Sequence, residues 1–371
     1  MLRNYFPSNR RTFLTGAAAV FATSASSSAE DVACDFYVGT YSSDKGKGIY
    51  PLKYTPTTDQ WRLGDPVQGV ENASFGTYSS RVRRYYVLNE QTQGRVGIYD
   101  KDWRPKGDVS SLGAAPCYVA LSPSERHLAV ANYMTGDIVV FAIAGDGGLE
   151  APIVRQNAGS GPNKERQEGP HAHWVQFAPD TPFIYSVDLG TDQVLGYSFD
   201  ETTGAVGPAF TAFQAPGGNG PRHLVFHPNG RTAFLVAEMG NQVHVLARHS
   251  DGSMSVTQSL STLPEGYRDH SQAAHIVLNK AANTLYISNR GHNSIAVFSV
   301  ATDGHLELVQ IQSTTGNWPR FFLLLEDHNR LVVAHQNGGD LVVFSVTGTG
   351  KLESKDQRLK VPQPVFIGRS I

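Results

Sequence analysis

Arg222 and Glu238 stand sixteen residues apart across a stretch, Leu224 to Val236, that reads as two apolar strands joined by a His227-Pro228-Asn229-Gly230 turn. Strands joined so tightly run antiparallel. The opening of the first therefore lies beside the end of the second, and the guanidinium and carboxylate share one edge. The same positions recur along the chain. His173 and Arg320 are equivalent to Arg222, Glu90 and Arg290 are equivalent to Glu238, and Asn89, Asn132 and Asp188 precede that second column by one residue. Two or three guanidiniums beside a carboxylate and an imidazole suit an anionic small molecule, because arginine presents a planar fork to a carboxylate or phosphate.

Positioning such a set takes a repeated strand unit. Strand openings fall at Ser74, Cys117, His173, Arg222, Ala274 and Arg320, spaced by 43, 56, 49, 52 and 46 residues. Inside each copy the offsets hardly change. Fifteen residues on stand Asn89, Asn132, Asp188, Ala237, Asn289 and His335, and one further come Glu90, Tyr133, Leu189, Glu238, Arg290 and Gln336. A third strand ends in every copy on an aromatic residue or leucine: Tyr99, Phe141, Tyr197, Leu246, Phe298 and Phe344.

A lone blade of this kind cannot bury both faces, so the period predicts an all-β propeller. Six copies become seven if the chain ends join. Pro364-Val365-Phe366-Ile367 reads as an innermost strand, and Phe36 to Thr40 and Gly48-Ile49-Tyr50 read as the second and third strands of the same blade. A seven-bladed β-propeller whose closing blade is shared by the N- and C-termini leaves no open sheet edge. Innermost strands line the central channel, which would place His173, Arg222, Arg320, Asp188, Glu238, Arg290, Asn89, Glu90, Asn132 and Tyr133 around one mouth. His171, two residues before His173, is a further candidate for substrate contact.

Each candidate also has a purely structural explanation. Asn and Asp at the fifteenth position commonly cap turns through side-chain to backbone bonds. His171 and His173 form an i, i+2 pair that lacks a third ligand nearby, so no metal site is expected. Arg222 and Arg290 could neutralise Glu238 and Asp188 as an ion network that only holds the channel together, a reading that stands beside substrate binding. Neither a Gly-x-Ser-x-Gly elbow nor a phosphate-cradling loop occurs, and no cofactor is expected.

A net charge of −2 with 17% charged residues offers no basic field for nucleic acid. No run approaches the ~20 apolar residues of a membrane helix. Arg10-Arg11 followed by Phe13-Leu14, the mildly apolar stretch from Gly16 to Ala22 and the small residues Ser27-Ser28-Ala29 resemble a twin-arginine export signal. The expected division is an export signal over 1–29 and one propeller over 30–371, giving a periplasmic monomer. Cys34 and Cys117 are too few for a disulfide framework or thiolate zinc site, and Asp31 stands where a lipidation site before Cys34 would want an aliphatic residue.

Gly220-Pro221-Arg222-His223-Leu224-Val225-Phe226-His227-Pro228-Asn229-Gly230, Ser288-Asn289-Arg290-Gly291-His292-Asn293-Ser294 and Gly169-Pro170-His171-Ala172-His173 carry a resemblance to a known family. From Phe36 onward the chain resembles the lactonase family of seven-bladed propellers, the group of the propeller-type 6-phosphogluconolactonases and the carboxy-cis,cis-muconate cyclases. The resemblance implies a catalytic group of His173, Arg222, Glu238 and Arg290, with Ala237 where the family usually has Asn and Tyr78-Ser79 where a His-Pro turn is common. It implies hydrolysis of a small anionic or sugar lactone, with the arginines polarising the ester carbonyl and Glu238 or His173 activating water. The alternatives are lactone closure on a muconate and a propeller that only binds a ligand or protein.

Overall fold

The computed structural model describes residues 34–42 and 47–370, so the expected export segment lies outside the described residues. Each sheet is built from short apolar runs that alternate in facing. In the strand Thr232–Ala237, Ala233 and Leu235 pack toward the preceding blade while Phe234 and Val236 pack toward the following one. A strand with two buried faces is stable only between neighbours, and seven four-stranded antiparallel sheets supply them all the way round. The core is therefore a set of layers between blades, with Phe141, Tyr197, Leu246, Phe298 and Phe344 from the third strands buried in it. The outermost strands face water on alternate residues, as in Leu352–Lys360.

The first blade joins both ends of the chain. Pro364–Arg369 is its innermost strand, followed outward by Cys34–Thr40, Ile49–Thr55 and Gln60–Leu63. Val38 pairs with Ile367 and Phe36 with Arg369 across that seam. A second device ties alternate neighbours. Tyr86, Tyr185 and Tyr286 donate from their second strands to the carbonyls of Gly147, Gly252 and Gly350 in turns of the next blade, at 2.9, 3.0 and 2.7 Å.

The innermost strands of blades two to seven are Ala73–Ser79, Pro116–Leu121, Ala172–Phe177, Pro221–Phe226, Gln272–Leu278 and Pro319–Leu325. All six slip register against the second strand near their openings, between Pro221 and His223, Ala172 and Trp174, Pro319 and Phe321, Pro116 and Tyr118, Ala73 and Gly76, and Ala273 and Ile276. Each slip is a β-bulge, and Arg222, His173, Arg320, Cys117, Ser74 and Ala274 are residues within it. A bulge bends the strand and re-aims a side chain that the regular pleat would send elsewhere.

Candidate active site

Second-strand ends supply the other half of the site. The residue just past each strand is pinned by its own backbone: Glu90 N–H donates to Asn72 O at 3.1 Å, Tyr133 N–H to Ala115 O at 2.9 Å and Glu238 N–H to Gly220 O at 2.7 Å. Gly220 has a φ of 56° and its N–H donates to Asp192 Oδ1 at 2.7 Å. A side chain there would meet the Met239 sulfur at 2.7 Å, so glycine lets the turn that delivers Pro221 and Arg222 form without strain.

These elements enclose a cavity of about 300 Å³ lined by Glu90, Cys117, Tyr133, Arg166, His173, Glu238, Gln272, Arg290 and Arg320. Glu238 is its electrostatic centre and is 2% exposed. Arg166 donates to its Oε1 at 2.8 Å, while Arg290 Nη2 lies 2.6 Å and Arg222 Nε 3.1 Å from its Oε2. The Arg222 Nε is too far off line to count as a hydrogen-bond donor, so that contact is one of charge, and its Nη1 donates to Ala274 O at 2.8 Å. Burial would push the Glu238 carboxyl up, but Arg290, Arg222 and Arg166 outweigh it and hold the group well below the usual carboxylate range.

The opposite wall is built differently. Tyr41, just past the second strand of blade one, donates to Glu90 Oε1 at 3.0 Å, and the Arg320 guanidinium lies over the Tyr41 ring at 5.5 Å. Arg320 forms no ion pair within 4 Å among the described residues, although Tyr41, Glu90 and Glu238 together outweigh its burial and strengthen its charge. Among the described residues Glu90 Oε2 is buried without a hydrogen-bond partner.

His173 sits against both halves. Its ring packs edge-on to Tyr133 at 5.4 Å and to His223 at 5.3 Å, and its Nδ1 lies 3.8 Å from the Cys117 sulfur. Burial and the Arg222 charge keep the imidazole neutral by pulling its pKa well below the ordinary value. Burial, with Glu90 nearby, pushes the Cys117 thiol far up, which leaves it protonated and a poor nucleophile. The two histidines of the Gly169 to His173 motif do not converge on one point: His171 Nδ1 donates to Tyr133 O at 2.9 Å and its Nε2 stands 3.1 Å from Glu168 Oε1. Among the described residues no group of three or more His, Cys, Asp or Glu is placed to hold a metal ion.

The structure thus brings His173, Glu238, Arg290, Glu90 and Arg320 to one cavity, with Arg222 reaching it through Glu238. Asn89, Asn132, Asp188 and His171, expected as substrate contacts, do not line it. Successive side chains on a strand point to opposite sides, so a residue one position before the cavity column turns away from it. Asn132 Nδ2 instead donates to Ser111 O at 3.0 Å and Asp137 Oδ2 at 2.7 Å, and Asp188 accepts from His171 N at 2.8 Å and Asn157 Nδ2 at 2.7 Å. His171 stacks on the Tyr133 ring at 4.6 Å and so props the wall from behind. Arg166 was not among the expected residues. It comes from the connection between Leu149–Gln156 and Ala172–Phe177, off the strand columns altogether.

Known proteins carry the same architecture. The family model described as lactonase, 7-bladed beta-propeller, matches residues 35–368. The 6-phosphogluconolactonase of Bacillus subtilis is 33% identical over 344 residues, covering 89% of this chain and 97% of that one. Among solved structures, the periplasmic gluconolactonase of Pseudomonas aeruginosa is 28% identical with a TM-score of 0.84, covering 92% of this chain and 99% of that one. A protein from Lactobacillus plantarum is 30% identical with a TM-score of 0.83, covering 91% and 99%.

Proposed function

Because the chain belongs to the lactonase family of seven-bladed β-propellers, we propose that it hydrolyses the ring ester of a small, unphosphorylated aldonolactone after export to the periplasm. The observation that carries this reading is the excess of guanidinium over carboxylate at one small cavity: Arg166, Arg290 and Arg320 line it with Glu238 and Glu90, and Arg222 reaches it through Glu238. When water adds to a lactone carbonyl, negative charge develops on the carbonyl oxygen. Fixed positive groups already in place lower that barrier without reorganising. At about 300 Å³ the cavity lies at the small end of ligand pockets, a size suited to a single sugar ring.

Two observations favour the unphosphorylated, exported substrate. Arg10-Arg11 and the small residues ending at Ala29 have the form of a twin-arginine signal, and the Pseudomonas relative is named as a periplasmic gluconolactonase. Sugar phosphates are oxidised to their lactones in the cytoplasm, where an exported enzyme would not meet them. The test is acid release from a panel of lactones by protein lacking residues 1–29, measured above the spontaneous rate. Gluconolactone is expected to give the higher kcat/KM and 6-phosphogluconolactone the lower. The reverse order would overturn the substrate assignment. Closure of a muconate without lactone hydrolysis would identify a cyclase, and inertness of folded protein toward the whole panel would leave a binding propeller.

A further inference from the structure

Glu90 is not part of the four-residue set that the family resemblance implies, yet it holds the position in blade two that Glu238 holds in blade five. Both are the first residue past a second strand, and both are fixed by the same backbone bond, to Asn72 O and Gly220 O. Three steps around a seven-membered ring place the two carboxylates nearly across the channel from each other. Their surroundings are opposite. Both oxygens of Glu238 are engaged by guanidiniums, through Arg166 on one and Arg290 with Arg222 on the other. Among the described residues Glu90 has only the Tyr41 hydroxyl on Oε1, and its Oε2 is buried with no donor.

A buried carboxylate oxygen without a donor is costly unless something in its normal working state donates to it. The cavity supplies room for a water, and hydrolysis requires one. We propose that Glu90 is the general base of the site, taking the proton of the attacking water while the arginine cluster across the cavity holds the carbonyl oxygen. This rests on the lactone-hydrolase reading and assigns a role within it.

Addition comes first. A water O–H bond breaks and its proton goes to Glu90 Oε2 as the water oxygen bonds to the lactone carbonyl carbon; the carbonyl π pair moves to oxygen. The carbonyl then re-forms, the ring carbon–oxygen bond breaks, and the ring oxygen takes the proton back from Glu90. The product is a hydroxy acid, and the carboxylate is restored. The Tyr41 hydroxyl, held under Arg320, orients the carboxylate by occupying Oε1. Neither alternative base is as well placed. Glu238 has no free oxygen and is held strongly ionised by its arginines, and burial together with Arg222 makes the His173 imidazole a weak proton acceptor.

The test compares wild type, Glu90→Gln and Glu90→Ala on whichever lactone the wild type hydrolyses best. Glu90→Gln is expected to lower kcat by roughly 10²- to 10⁴-fold with little change in KM. Added formate should restore part of the activity to Glu90→Ala and none to Glu238→Ala. If Glu90→Gln does not fold, Glu90→Asp is read on the same kcat and KM. A folded Glu90 variant within tenfold of wild-type kcat overturns this assignment and leaves the lactonase reading intact. A wild type inert toward every lactone overturns both.

Discussion

Replacing Glu238 by glutamine removes one charge from the centre of the cluster with almost no change of shape. Arg222 and Arg290, at 3% and 4% exposure, lose the counter-charge on which both converge. Arg166 has a side chain 33% exposed and is rehydrated more easily, so it adds little. Removing one partner of a buried ion cluster costs about 3–5 kcal/mol, which for a propeller of roughly 340 residues lowers Tm by about 4–7 °C at neutral pH. The pH dependence fixes the cause. The folded-state pKa of Glu238 lies below its unfolded value of about 4.3, so its stabilisation is complete above that value and is lost as pH falls below it. The Tm gap between wild type and Glu238→Gln should therefore be widest at pH 7 and narrow on acidification from about pH 5 to pH 3. Calorimetry at several pH values, with lactone turnover on the same preparations, provides the check. Turnover should drop by about 10²- to 10³-fold as the guanidiniums lose their common anchor. Equal Tm values at pH 7, or a gap that does not shrink in acid, would refute the electrostatic account of the cluster.

Arg222→Ala should cut turnover by about two to three orders of magnitude in a folded protein; activity that merely tracked the folded fraction would assign the arginine to structure alone. Deleting residues 364–371 removes the innermost strand of blade one, including buried Val365, Phe366 and Ile367. At about 1.5–3 kcal/mol per buried side chain this should cost some 5–9 kcal/mol, and an unchanged melting temperature would contradict closure at that seam. His173, His223 and His275 are all held below their ordinary pKa, first by burial and then by Arg222, so the unfolded chain binds protons that the folded one refuses. Stability should thus fall as pH drops below about 6.5, by up to ~1.4 kcal/mol per pH unit for each histidine, and His275→Gln should make the slope of Tm between pH 6.5 and 5 shallower.

Much of the ring was legible because its logic is local. Strand alternation and the fixed fifteen- and sixteen-residue offsets are both consequences of a hairpin, and a hairpin is written in consecutive residues. The seam was legible for the same reason, since Pro364 to Ile367 and Phe36 to Thr40 each carry half of a pattern whose other half is absent nearby. The offsets do not distinguish which of two adjacent columns faces the channel. Asp188 and Asn132 look as suited to ligand binding as Glu90 does, and only the pleat, with the bulge opposite it, decides that the earlier residue braces its own blade.

Arg166 marks a different limit. It belongs to no column, because it arrives on the connection ahead of blade four and meets Glu238 on blade five, 72 residues further along the chain. Counting within a hairpin cannot reach such a contact. The signal that exists is indirect: the interval from Cys117 to His173 is 56 residues, the longest between successive copies, and the excess falls on a charged run from Lys164 to Glu168. Loops at the channel mouth of a propeller are where length is free to vary while the strands stay fixed. A charged insertion there is placed to supply what the strands do not, and here it completes the cation set around Glu238 by binding the one oxygen, Oε1, that Arg222 and Arg290 leave open.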